Sequence, residues 1–286
     1  MSSLSSLDIF IFRSGERQRF QGETLEVSRA AHVNTRGQQT LLEQGNNLLH
    51  PPYDSILAIH SGYPRTKETI EYFFGGAEIH LDAISYKEDH RTGLDAILEA
   101  KKLLGTDQYH QYYPRLQEGN ISGYILSWAT THYFPSKIDG IPSRMEGLCG
   151  AAMALAILEN VNEALLEYAG NPIPARRILM IASHMPLVDL AAQALLGFIY
   201  KETGSLPEVH LAEQDGLPFL KKGEFIQSHI DYAGCLSVTE QFPWKIHNTL
   251  ISRSANDIST IVDTLKLHTT NTERFSGDIS EQQRSA

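Results

Sequence analysis

The chain has 286 residues, enough for one large α/β domain with a tail, and its formal charge of −10 comes from 24 Lys and Arg against 34 Asp and Glu. No long basic run offsets that charge, which argues against a general nucleic-acid or anionic-membrane binder while leaving room for a local positive pocket. A hydrophobic fraction of 42% with 20% charged residues is globular and argues against wholesale disorder.

The opening MSSLSSLDIFIF has no basic start and only a short apolar run, so it makes a poor secretory signal. Ile9–Phe12 reads as a strand that stops at the polar turn Arg13-Ser14-Gly15. Thr35–Leu49 sets Leu41, Leu42, Leu48 and Leu49 near helical spacing, and Pro51-Pro52 ends it. Ser55–Ile59 is the next buried strand, followed by the turn His60-Ser61-Gly62-Tyr63-Pro64 and a helix over Arg65–Phe74. Ala77–Leu81 reads as a third strand. From Asp82 to Pro142 the pattern is mixed: charged at Lys87–Arg91, helical around Leu94–Leu104, then aromatic, as in an insertion that caps a core domain.

Glu146–Tyr168, rich in Ala and Leu without an internal proline, is a helix closed by Pro172 and Pro174. Arg177–Ala182 is a fourth buried strand, Ser183-His184-Met185-Pro186 a sharp turn, and Leu187–Tyr200 a helix. Two β-like runs follow, Phe225–Tyr232 and Gly234–Thr239. The polar, weakly periodic C-terminal stretch reads as a flexible tail. No run of eighteen apolar residues occurs, so no membrane span is expected. Cys149 and Cys235 read as buried free thiols, which fits a reducing compartment, and the cytoplasm is the expected location.

Strands alternating with helices predict a three-layer α/β/α sandwich with a mostly parallel central sheet. Ligands in such sheets sit at the carboxyl ends of the strands. Three polar turns occupy that position here, beginning at Arg13, at Ser61 and at Ser183, and they should bring Arg13, Arg65 and His184 to one rim. A guanidinium fork with permanent charge suits a phosphoryl group. The Gly15 amide can add a donor, Arg17 can extend the anion site, and His184 can contact the anion or move a proton. Taken singly, a strand-end arginine is ordinarily a salt-bridge partner and a histidine there ordinarily structural; their shared placement is the signal. His60 belongs to the same rim or is a satisfied structural histidine. Trp128, Tyr124, Tyr133 and Phe134 read as cap packing or as the pocket mouth. No HExxH or CxxC pair appears, and neither a metal nor another cofactor is expected.

Four segments together resemble the histidine phosphatase superfamily, which includes the phosphoglycerate mutases. IFIFRSGERQRF is similar to its opening strand and Arg-His-Gly turn. NTRGQQTLLEQGNNLL matches its Leu-Thr-x-x-Gly-x-x-Gln helix through Thr35, Gly37 and Gln38 or Gln39. SILAIHSGYPRTKETIEYF resembles the strand, serine turn and Arg-Thr-x-x-Thr helix, and RILMIASHMPLVDLAAQALLG the later strand and Ser-His turn. The resemblance implies one domain over residues 1–263, with a cap inserted at about 82–144 and a tail at 264–286. It also implies a phosphate pocket of Arg13, Arg65 and His184.

The family's nucleophile is the histidine after the first arginine, and Ser14 stands there in this chain. An imidazole nitrogen reaches farther from the backbone than a serine oxygen by roughly 2 Å, and about 1 Å of misplacement can cost on the order of a hundredfold. Serine also needs a base to take its proton. The family's proton donor to the leaving oxygen is usually an acid after the third strand, where Glu88 or Asp89 is available, although the KEDHR run is ordinarily a solvated loop. A second familiar pattern, Glu-Ser followed by a helical arginine, would fall on Pro142 and Cys149 and is lost.

The expectation is therefore a phosphate- or phosphomonoester-binding protein impaired in phosphohistidine-dependent hydrolysis. The alternative is an active phosphatase, or another enzyme on a phosphorylated substrate, that uses Ser14 with His184 or an activated water. A third alternative makes the site vestigial, with Glu16 or Glu68 neutralising the arginines. The expected partner is a small phosphorylated molecule or a phosphopeptide, with no nucleic acid and no membrane, and self-association as a homodimer is left open.

Overall fold

The computed structural model describes residues 5–17, 30–93, 143–170, 175–185, 187–197, 220, 222–232 and 235–270, with 143–150, 268 and 270 as backbone alone. Seven strands form one sheet: β1 (Ser5–Arg13), β2 (Ser55–His60), β3 (Ser85–Glu88), β4 (Arg176–Ser183), β5 (Phe225–Tyr232), β6 (Phe242–Ile246) and β7 (Thr249–Arg253). Their order is β3-β2-β4-β1-β5-β6-β7. The first four run parallel, while β5, β6 and β7 extend the sheet antiparallel from β1. The mixed α/β architecture with a parallel centre is as the sequence predicts.

Period-two alternation splits each central strand between two cores. Leu7, Ile9 and Ile11 of β1 and Leu179 and Ile181 of β4 face one side, where α3 (Ser143–Ala169), α4 (Leu187–Leu196) and α5 (Ala255–Thr270) supply Ile157, Val161, Leu190 and Ile258. Phe10, Phe12, Ile178 and Met180 face the other, against Leu41 of α1 (Thr35–Leu48) and Ile70, Phe73 and Phe74 of α2 (Pro64–Gly76). Helices thus cover both faces, giving three layers. Close approach of α1 and α2 depends on glycine: a Cβ on Gly45 would lie 1.7 Å from the Phe73 carbonyl oxygen, and one on Gly76 2.0 Å from that of Leu42.

Several boundaries differ from the sequence reading. The third strand is Ser85–Glu88 rather than Ala77–Leu81, because Glu78 takes a positive φ of 57° just past α2 and a 3-10 turn follows at Leu81–Ala83. β3 belongs to the core sheet and falls inside the stretch expected as an insertion at about 82–144. No strand forms over 235–239; β6 and β7 form instead, followed by α5, which runs to Thr270 and so past the expected start of the tail at 264. The helix begun at Leu187 stops at Leu196, where Gly197 takes φ +82°. Cys235 is an exposed free thiol rather than a buried one. The helix expected near 94–104, the aromatic group of the insertion, Pro142, Tyr200, the Cys149 side chain and residues 271–286 lie outside the described residues. Among the described residues no helix is long and apolar enough to cross a membrane.

Candidate functional site

The site follows from strand order. β4 lies between β2 and β1, with Arg13 opposite Ser183 and His60 opposite Ala182. Neighbouring strands are about 4.8 Å apart, so the residues just past each carboxyl end, Ser14, Ser61 and His184, emerge within side-chain reach of one another. The Ser14 amide extends the ladder by donating to the Ser183 carbonyl at 2.8 Å.

Arg65 joins them from the first turn of α2, where Pro64 presets the helical backbone. Arg65 is 9% exposed, and its guanidinium bridges two groups: Nε donates to Ser14 Oγ at 3.0 Å, and Nη2 lies 2.9 Å from His184 Nδ1. Thr69, one turn further, fixes the junction by donating to the Arg65 carbonyl at 2.7 Å and accepting from the Gly15 amide at 3.0 Å. The Gly15 amide is thus engaged inside the protein, where it pins β1 to α2.

These contacts settle the His184 tautomer. A guanidinium only donates, so Nδ1 accepts and the proton sits on Nε2. Nε2–H then donates to Ser61 Oγ at 3.0 Å, Ser61 O–H to Thr66 Oγ1 at 3.1 Å, and Thr66 O–H to the Tyr63 carbonyl at 2.8 Å. Every hydroxyl in the chain donates once and accepts once. The Tyr63 ring lies against the imidazole at 5.2 Å between centroids. Burial, then the charges of Arg65, Arg17 and Arg13, hold His184 well below the usual histidine range. It is neutral, with its lone pair on the Ser14 side; Ser14 Oγ is 3.3 Å from Nδ1.

Arg13 is clamped by the segment before β5. Its amide donates to the Glu224 carbonyl at 2.9 Å, its carbonyl accepts from the Gly223 amide at 3.0 Å, and Nη1 donates to the Leu220 carbonyl. Its charge, like that of the half-buried Arg17, reaches His184.

The two candidate acids separate. Asp89 belongs to a structural network: its carboxylate accepts from Arg91 and Asn160, and Arg91 also donates to Glu159. Burial raises the Asp89 carboxyl, but those hydrogen bonds outweigh it and leave it below the usual range, which suits an anchor and not a proton donor. Glu88 sits opposite His60 at the end of β3, half-exposed and paired with His90 Nε2 at 2.9 Å. It lies on the same rim, without a hydrogen bond to Ser14 or His184. His60 accepts from the Gly62 amide at 3.1 Å and shapes the serine turn.

Glu68 accepts from His32 and from the Val33 amide, and Glu16 pairs with Arg36 at 3.8 Å. Both carboxylates therefore have partners outside the Arg13–Arg65–His184 group. Among the described residues no cluster of three or more His, Cys, Asp or Glu forms a metal site. Ser61, Thr66 and Thr69 all lie within SILAIHSGYPRTKETIEYF, where nothing but position marks them out. Asp189 and Leu220, which bear on Arg13, were not singled out; a lone acid in the apolar run LVDLAAQALL was the available signal.

No family model matches the chain, and neither does any curated protein. Among solved structures it is similar to a phosphoglycerate mutase from Bacillus anthracis, at 12% identity and a TM-score of 0.42 over 92% of this chain and 98% of that one. A mycobacterial glucosyl-3-phosphoglycerate phosphatase matches at 16% identity and 0.42, over 79% and 90%. A Hafnia alvei phytase matches at 12% and 0.44, over 92% and 97%.

Proposed function

We propose that the chain binds a phosphoryl group, free or on a small phosphomonoester, between Arg13, Arg65 and His184, and that it does not carry that group on residue 14. The observation that supports this most is the Arg65 bridge: one buried guanidinium holds Ser14 Oγ and His184 Nδ1, in a site where three arginines act on a neutral imidazole. An oxyanion arriving there meets charge-assisted donors that strengthen with burial. A phosphopeptide is the larger alternative ligand.

Ser14 is a weak nucleophile in this setting. Its proton would have to pass to His184 Nδ1, creating an imidazolium beside three guanidiniums in a buried site. The position of Nδ1, already taken by Arg65, opposes the same step. The exposed thiol of Cys235 fits residence in the reducing cytoplasm.

A second reading rests on the 3.3 Å separation of Ser14 Oγ and His184 Nδ1, with Ser61 orienting the imidazole from its far side. This is the layout of an activated serine. A bound phosphoryl dianion would offset the arginines and raise His184, so that Ser14 attacks phosphorus as Nδ1 takes its proton and the alcohol departs, protonated by Glu88 or water. Phosphate titration by calorimetry, with phosphomonoester turnover and mass analysis of Ser14 after incubation, separates the two. Saturable binding with unmodified Ser14 and no turnover is expected. A phosphoseryl adduct or turnover abolished by Ser14→Ala establishes the second reading instead.

A further inference from the structure

α4 carries a buried acid for which the anion site as described has no use. Asp189, in the first turn of α4 and five residues past His184, is fully buried. Its Oδ1 accepts from the Leu220 amide at 3.0 Å, while Oδ2 is buried with no hydrogen-bond partner among the described residues. The Leu220 carbonyl in turn accepts from Arg13 Nη1, and the Leu220 side chain is sunk in the core. One residue therefore links an acid on α4 to a guanidinium at the end of β1, across 207 positions in sequence.

We propose that Asp189 positions the Arg13 guanidinium for the bound oxyanion, acting through the backbone of Leu220. The inference rests on the anion-binding reading of the site.

The backbone of Arg13 has its own anchors in Gly223 and Glu224, and Gly223 is held further by Gln44 Nε2 at 3.1 Å. Without Asp189 the strand end would stay in place. The guanidinium differs, because a side chain with four rotatable bonds is placed by what its far end touches, and the Leu220 carbonyl is one such contact. Leu220 is fixed by its buried side chain and by Asp189 Oδ1. Because α4 starts just past His184, with the Val188 amide on the His184 carbonyl at 3.2 Å, one helical turn sets both His184 and the anchor of Arg13. A buried carboxylate with an orphaned oxygen is costly to hold, and an apolar side chain would fill that space at less cost. Costs of this kind collect where geometry serves a ligand.

Sulfate is the probe, because it stays a dianion across the working pH range. Calorimetric titration of the full chain at pH 7 is compared for Asp189→Ala and Asp189→Asn, alone and with Arg13→Ala or Arg65→Ala. Asp189→Ala is expected to weaken sulfate about tenfold, within the range of coupled neighbours. Asp189→Asn keeps an acceptor for the Leu220 amide and is expected to restore affinity to within about threefold. With Arg13→Ala already present, Asp189→Ala should cost nothing more, whereas with Arg65→Ala its full loss should persist. If Asp189→Ala does not fold, Asp189→Leu carries the same comparison. Unchanged sulfate affinity in Asp189→Ala, or an equal loss on the Arg13→Ala background, overturns the proposal and leaves the anion site standing. Failure of the unmodified chain to bind sulfate overturns both.

Discussion

Replacing Arg65 with alanine removes its hydrogen bonds to Ser14 and His184, its contact to a bound phosphate and its charge on the imidazole. The guanidinium gives Nε to Ser14 Oγ at 3.0 Å and Nη2 to His184 Nδ1 at 2.9 Å, from a position only 9% exposed. A hydrogen bond to a charged partner is worth about 1.5–3 kcal/mol, so loss of one such contact to a bound phosphate weakens it by about 10- to 150-fold. His184 loses the donor on Nδ1 and the largest of the charges that depress it. Burial, the greater cause, stays, as do Arg17 and Arg13. Its titration should therefore rise toward the ordinary histidine range without reaching it. Arg65→Lys separates charge from geometry: it keeps the cation that holds His184 down but not the two-armed bridge, so the histidine should move little while phosphate affinity still falls. Calorimetry reads the affinity, and nitrogen NMR of the imidazole reads both the tautomer and the protonation. Phosphate affinity and His184 titration both unchanged in Arg65→Ala would refute the reasoning.

Three further outcomes follow from the same contacts. Ser14→His puts a longer side chain where Arg65 and His184 now meet; labelling of residue 14 by a phosphomonoester, with its P–O bond broken and its alcohol released, should appear in the variant and be absent from the unmodified chain, and labelling of neither means the site cannot align an attack. Burial lifts the Asp189 carboxyl from its ordinary 3.8 to about 6. Between those values the folded chain holds a proton that the unfolded chain has released, so stability falls as pH rises through the window, by about 3 kcal/mol in full. Asp189→Asn should remove that slope and raise the melting temperature at pH 7, and an unchanged pH profile would refute this. A hydrogen bond with Asp8 raises His229 to about 9. Its contribution is complete below about 6.5 and is lost as pH climbs through 9, so Asp8→Asn should flatten the fall in melting temperature over that alkaline range.

The parts of the fold that the sequence displays are those where pattern and punctuation agree. β1, β2 and β4 are apolar runs ended by polar turns, and α1 and α2 are bounded by Asn34 and by Pro64. The edges were harder to read. β3 is a four-residue edge strand, SYKE, largely exposed and so without an apolar signal, next to the more hydrophobic Ala77–Leu81 that Glu78 diverts. β6 does alternate, burying Phe242, Trp244 and Ile246, but Pro243 falls between them and β7 exposes Leu250. α5 buries Ile258, Val262 and Leu265 at helical spacing among Ser, Thr, Asn and Asp residues of modest helix propensity. The strand-end residues of the site are visible in the turns, because adjacent parallel strands must deliver their ends to one rim. The direction of the hydrogen bonds is not: that Arg65 occupies Nδ1, that Ser61 holds the other nitrogen and that Leu220 links Arg13 to Asp189 depend on contacts between residues up to 207 apart.

A crystal of the full chain soaked in vanadate tests the central claim most directly. The account predicts one oxyanion between Arg13, Arg65 and His184, with Arg65 turned from Ser14 and His184 onto its oxygens and no bond from vanadium to Ser14 Oγ. Vanadate bound only elsewhere, or a vanadium atom bonded to Ser14 Oγ, would contradict it.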